Sequence, residues 1–151
     1  MAQIFKAKKK SVSQKMLTLT VSAMDHQGRG VAKQGSKVCF VNGALPGEEV
    51  KAQLIDDKAR FASADCKKVL RASAHRVTPF CQHYQVCGGC QLQHLDASQQ
   101  LVEKQAAVSQ LFSKFAKAEN LNWQAPLVSE ARHYRRSARV AVMHDKAAKK
   151  M

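Results

Sequence analysis

Between Lys15 and Leu70 the chain alternates apolar and polar residues in five short runs divided by turn residues, a pattern few folds accommodate. KMLTLTVSAM places Leu17, Leu19 and Val21 on one face of a strand. DHQGRGVAK sets Gly28 and Gly30 around Arg29, a turn signal, before a short run at Val31. KVCFV reads as the next strand, and NGALPGEE is a loop punctuated by Asn-Gly and Pro-Gly. EVKAQLID puts Val50, Ala52 and Leu54 on one side, and ARFASADCKKVL makes a fifth strand after the turn at Asp56, Asp57 and Lys58. No helical period intervenes, so the expectation is a small all-β barrel of the OB type.

The period changes beyond Ser73. SAHRVTPF reads as a linker, and the loop CQHYQVCGGCQLQHL follows it directly. From Asp96 the spacing is helical, with Leu101, Val108, Leu111, Phe112 and Phe115 on one face. Asp96 and Gln99 fit a capping-box-like start, and Asn120 to Pro126 is the expected helix end. YRRSARVAVM alternates weakly and is read as a strand, after which DKAAKKM supplies no closing element; an interrupted domain is the expectation. The fold class is therefore mainly β with one helix, the barrel being followed by a partial α+β domain that carries the cysteine loop.

Charge narrows the partners. The 151 residues carry a net charge of +14. Residues 1–15 hold five lysines and no acid, and residues 132–151 hold seven Lys/Arg against Asp145. Basic ends of this kind suit an acidic polymer, although solvated ends account for a lysine run equally well. Lys8, Lys9, Lys10, Arg132, Arg135, Arg136 and Arg139 are the candidates for phosphate contacts. Phe40 and Phe61 are read first as core filling and second as stacking platforms for bases. MAQIFKAKKK lacks an apolar stretch behind its charges, so it is not a secretory signal, and no apolar run reaches membrane-spanning length. The expected setting is a cytoplasmic monomer.

Five cysteines in a reducing compartment point to metal binding more than to disulfides. Cys39 and Cys66 lie within strand-like runs and read as small buried hydrophobes. Cys81, Cys87 and Cys90 share one loop in a C-x5-C-x2-C spacing and can be read in three ways. An iron–sulfur centre takes clustered cysteines plus a distant one, and Gly88 and Gly89 would permit a tight wrap. A zinc site is half-made by Cys87 and Cys90, with His83 or His94 completing it. A redox dithiol would want a thioredoxin-like βαβ setting, which is absent. Spacing alone leaves the choice between iron–sulfur, zinc and unliganded thiols open.

Taken together, these segments resemble the N-terminal part of the bacterial 23S rRNA uracil-C5 methyltransferases of the RumA/RlmD type. Asp25, Gly28, Gly30, Val31 and VNGALPGEEV resemble the TRAM domain, an RNA-binding OB-like barrel. SAHRVTPFCQHYQVCGGCQLQHL, with Gln99 and Lys104 behind it, is similar to that family's iron–sulfur loop and helix, and YRRSAR to the strand opening its central domain. The resemblance implies a basic arm over 1–15, a TRAM-like barrel over 16–72 and, over 73–151, the loop, helix and start of a central domain. It implies that Cys81, Cys87 and Cys90 ligate a [4Fe–4S] cluster whose fourth cysteine lies beyond this chain, with His83 or Cys66 as substitutes that nothing favours. It also implies 23S ribosomal RNA as partner. S-adenosylmethionine and the catalytic thiolate belong to a C-terminal domain absent here, so no catalytic residue is assigned and this chain alone is expected to be inactive. Methylthiotransferases also combine TRAM with a cluster, but their C-x3-C-x2-C loop and distal TRAM disagree with this order. A stand-alone RNA-binding module with structural zinc or iron–sulfur is the alternative in a different class.

Overall fold

The computed structural model describes residues 15–130, 132–134, 136, 137 and 139. It contains β1 (Met16–Met24), β2 (Gly30–Gln34), β3 (Lys37–Asn42), β4 (Glu49–Asp57), β5 (Phe61–Arg71) and α1 (Ala97–Ala116). The strands close into a barrel in the order β1-β2-β3-β5-β4, with β4 returning to β1. Only β3 and β5 run parallel; the other four pairings are antiparallel. All five expected strands are present, and the OB-like barrel is the fold.

Alternation decides which side chains enter. Leu19 and Val21 of β1 are buried and their neighbours Thr18 and Thr20 exposed. A bulge between Val21 and Ala23 then slips the register, so that Met24 turns inward instead of Ala23. The interior is narrow, because a barrel's bore grows with strand number and eight strands already leave room only for side chains. Small residues accordingly fill it: Ala32, Cys39, Ala44, Ala52, Ala62 and Ala64 are all fully buried beside Val41 and Val50. At Gly30 a Cβ would stand 2.8 Å from Val21 Cγ1 and 2.9 Å from the Ala44 carbonyl oxygen, so this close approach admits only hydrogen.

A second apolar cluster of Met24, Leu45 and Leu95, joined by Leu92, lies apart from the barrel core and ties the end of the cysteine loop to the barrel. Helix α1 follows. Asp96 caps it by accepting from the Ser98 N–H at 3.0 Å. Gln99 does not reach back to close the expected box; it donates to Glu103 at 3.4 Å, and the Asp96 N–H is taken by the His75 carbonyl. The helix also stops short of Asn120. Lys117 adopts a left-handed conformation at φ 53°, and its N–H returns to the Phe112 carbonyl. Of its apolar face only Ala107 is buried, while Phe112 and Phe115 are exposed.

The chain divides into two compact units, one to Leu121 and the other from Asn122. Among the described residues of the second there is no helix or strand. The strand expected at YRRSAR is not formed at Tyr134, Arg136, Ser137 or Arg139; Arg135 and residues from 140 on lie outside the described residues.

Candidate nucleic-acid interface and cysteine loop

The stretch expected to be a linker is pinned at its centre. Glu48, with no exposure at all, accepts from the Leu45 N–H (2.9 Å) and the Ser73 N–H (3.2 Å). Arg76 grips the same carboxylate with both Nε (2.6 Å) and Nη2 (2.8 Å), and Nη2 also reaches the Gly43 carbonyl at 2.8 Å. Burial pushes the Glu48 carboxyl up, but the Arg76 and backbone donors outweigh it and hold its pKa below the ordinary value. The neck is then zipped: Arg76 bridges Leu95, the Val77 N–H donates to the His94 carbonyl (3.0 Å) and the Asp96 N–H to the His75 carbonyl (2.9 Å). Residues 78–93 therefore form a loop whose two ends are fixed on the barrel.

Inside that loop Tyr84 and His94 are in contact. The Tyr84 hydroxyl donates to the Gln91 carbonyl at 2.7 Å and also meets His94 Nδ1. With its one hydrogen so placed, Tyr84 accepts from Nδ1–H, which fixes the neutral imidazole with its lone pair on Nε2. Nε2 is buried and without a hydrogen-bond partner among the described residues. Burial first, and the Arg76 charge second, push the His94 pKa down to about 4. His94 is thus a buried, neutral group of the neck, tied through Nδ1 to Tyr84.

The three loop cysteines are held on successive turns. The Tyr84 N–H donates to the Cys81 carbonyl (3.0 Å) and the Cys87 N–H to the His83 carbonyl (2.9 Å), while Gln85 and Gly88 both take φ of 71°. Cys81 is half-buried, and Cys87 and Cys90 are exposed. Among the described residues no three His, Cys, Asp or Glu side chains stand together as a metal-binding group. The donor chemistry nonetheless fits a thiophilic centre: three thiols on one loop, two of them open to solvent. Cys39 and Cys66 differ. Burial raises both thiol pKa values, so neither readily supplies a thiolate, and Cys39 lies within the core as expected.

Phe40 and Phe61 correct the expectation of core filling. Cys39 and Val41 point inward, so Phe40 between them points out, and Phe61 stands beside Ala62 in the same way. Their rings meet edge to face with centroids 6.0 Å apart. The Arg29 guanidinium lies over Phe40 at 4.4 Å, and Lys58 Nζ over Phe61 at 4.9 Å. The outer wall of β3 and β5 thus carries paired aromatics flanked by cations. Of the cations named from the sequence, Arg132, Arg136 and Arg139 are exposed in the second unit, and Lys8, Lys9, Lys10 and Arg135 lie outside the described residues. Sequence reasoning missed Arg29, Glu48, Arg76 and Tyr84. Only Arg29, isolated between two turn glycines, carried a local signal.

A closed OB-like barrel with an aromatic and basic outer wall defines the class, and residues 14–67 match the TRAM domain. The chain as a whole is similar to proteins named 23S rRNA (uracil(1939)-C(5))-methyltransferase RlmD, which bears out the resemblance read from its motifs. That of Pseudoalteromonas translucida (strain TAC 125) is 68% identical over 151 residues, covering all of this chain and 34% of the relative. That of Vibrio cholerae (strain ATCC 39541) is 49% identical over 97% of this chain and 33% of the relative, and that of Shewanella halifaxensis is 46% identical over 99% and 34%. The chain spans about a third of the length of these curated relatives.

Proposed function

We propose that this chain is the RNA-binding, N-terminal third of an S-adenosylmethionine-dependent 23S rRNA uracil-C5 methyltransferase, acting as a cytoplasmic monomer. The observation that carries the reading is similarity at 68% identity, over all of this chain and 34% of the relative, to a protein named 23S rRNA (uracil(1939)-C(5))-methyltransferase RlmD. The outward Phe40 and Phe61 with Arg29 and Lys58 support it physically, because stacking and cation contacts are how OB-like barrels hold single-stranded nucleic acid. Cys81, Cys87 and Cys90 would hold a [4Fe–4S] cluster, whose iron–thiolate bonds would cross-link an otherwise polar loop.

Binding of a 23S rRNA fragment to the pure chain, measured by filter retention across a salt series, tests the RNA reading. Log affinity should fall linearly with log salt as phosphate counterions are released. Salt-independent retention, or none, overturns it. The chain alone should transfer no labelled methyl group to uracil, and transfer would overturn the assignment of chemistry to the remainder of the longer protein.

A further inference from the structure

Between the β1–β2 turn and the cysteine loop lies a groove of about 1000 Å³, lined on one side by Gln27, Arg29 and Asn42 and on the other by Tyr84, Gln85 and Gln91. Its size suits a ligand of one or a few ring systems. Arg29 is held in it as a plane. Nε–H and one Nη2–H donate to the same Asp25 oxygen (2.8 and 2.7 Å), and the other oxygen takes the Arg29 backbone N–H at 2.9 Å. One face of the guanidinium rests on Phe40, which leaves the other to the groove. A guanidinium so engaged keeps three N–H groups at its Nη edge for polar contacts and is fixed as a rigid stacking surface. The lining adds the amides of Gln27, Gln85 and Gln91 to one ion pair, Lys67–Asp65 at 3.6 Å, and Asn42 is oriented by donating to Asp65 at 2.9 Å. Amide groups offer the donor and acceptor pairs that a base edge requires and contribute no charge toward a phosphate.

We infer that this groove takes one unpaired RNA nucleotide, its base stacked on Arg29 and its edge read by Asn42 from the barrel and Gln85 from the loop. The inference rests on the RNA-binding reading and deepens it: the cysteine loop is one wall of a base pocket. Loop and barrel then form a single recognition surface because the Glu48–Arg76 pair holds them together.

The test uses the full 151-residue chain, a fluorescent single-stranded oligouridine and a blunt RNA duplex of equal phosphate number. Arg29→Lys keeps the charge and removes the plane; Gln85→Ala removes an edge contact from the opposite wall. Lys33→Ala, on exposed β2 outside the groove, is the control. Expected are a loss of about five-fold or more in oligouridine affinity for Arg29→Lys, the worth of one stacked base, and a measurable loss for Gln85→Ala. Both should leave the slope of log affinity against log salt unchanged, whereas Lys33→Ala should leave oligouridine binding within two-fold of the original, roughly the scatter of a surface change. Groove variants that bind oligouridine as the original does overturn the pocket and leave the RNA reading intact. Equal losses on duplex and single strand overturn it too, because they indicate phosphate contacts. A chain that binds neither RNA removes the RNA reading itself.

Discussion

Replacing Arg76 by Met should damage this protein more than any comparable surface change. Glu48 has no exposed area and depends on four donors, two of them from Arg76, whose own side chain is 23% exposed. Removing one partner of a buried pair strands a charge and costs about 3–5 kcal/mol. Partial exposure of Arg76 places this case near the lower figure, about 3 kcal/mol. With a urea slope of about 2 kcal/mol per molar for a small domain, the midpoint should fall by about 1.5 M. The double variant Glu48→Leu with Arg76→Met should recover part of this, because the stranded charge is gone. The pH dependence gives an independent check. In the original protein Glu48 is held below its ordinary pKa, so its contribution is present above the ordinary carboxylate range and is lost as pH falls through the folded value. In Arg76→Met burial is no longer outweighed, the Glu48 pKa rises, and the gap between variant and original should narrow on acidification. A midpoint shift well under half a molar, roughly the effect of an exposed pair, or a gap that ignores pH, would refute the reasoning.

The remaining predictions concern other parts of the unit. His94 has its pKa lowered from 6.5 to about 4, so the folded state resists protonation that the unfolded chain accepts. Stability is full above pH 6.5 and should decline by up to about 3 kcal/mol on the way to pH 4, and His94→Phe should flatten that decline in urea titrations; parallel pH profiles would count against it. Gly30→Ala should cost about 1–3 kcal/mol through overpacking against Val21 and the Ala44 carbonyl. Gly35→Ala meets nothing within 4 Å and should cost only the strain of its φ of +61°, so thermal melts that rank the two in the opposite order would contradict the packing account. Anaerobic purification should yield a brown protein containing iron and sulfide that bleaches in air. Cys81→Ser, Cys87→Ser and Cys90→Ser should each abolish the colour while Cys39→Ser and Cys66→Ser retain it, and stoichiometric zinc in a colourless, air-stable protein would refute the cluster.

The strands were legible because alternation is a local property. Leu19 and Val21, or Val50, Ala52 and Leu54, need only their own neighbours to declare a buried face. Barrel closure followed from five such runs with turns too short for crossover helices. The cysteine loop was legible as a cluster because Cys81, Cys87 and Cys90 fall within ten residues of one another, while their chemistry is not encoded in that spacing. Where the face of a strand lay was harder. Phe40 and Phe61 looked like core residues by type, yet an interior lined with alanines has no room for a ring, and only the closed barrel reveals that bore. The Val21–Ala23 bulge likewise reverses the inward face within one strand and leaves no mark in composition. Most of all, Glu48 and Arg76 were an unremarked loop acid and a linker base, 28 positions apart. Which acid meets which base is set by where the chain returns after five strands, a long-range geometric fact that no local period encodes. The sequence by itself therefore determined the barrel and the gathering of three cysteines on one loop; the tertiary structure alone decided how the loop is anchored and which side chains line the groove beside it.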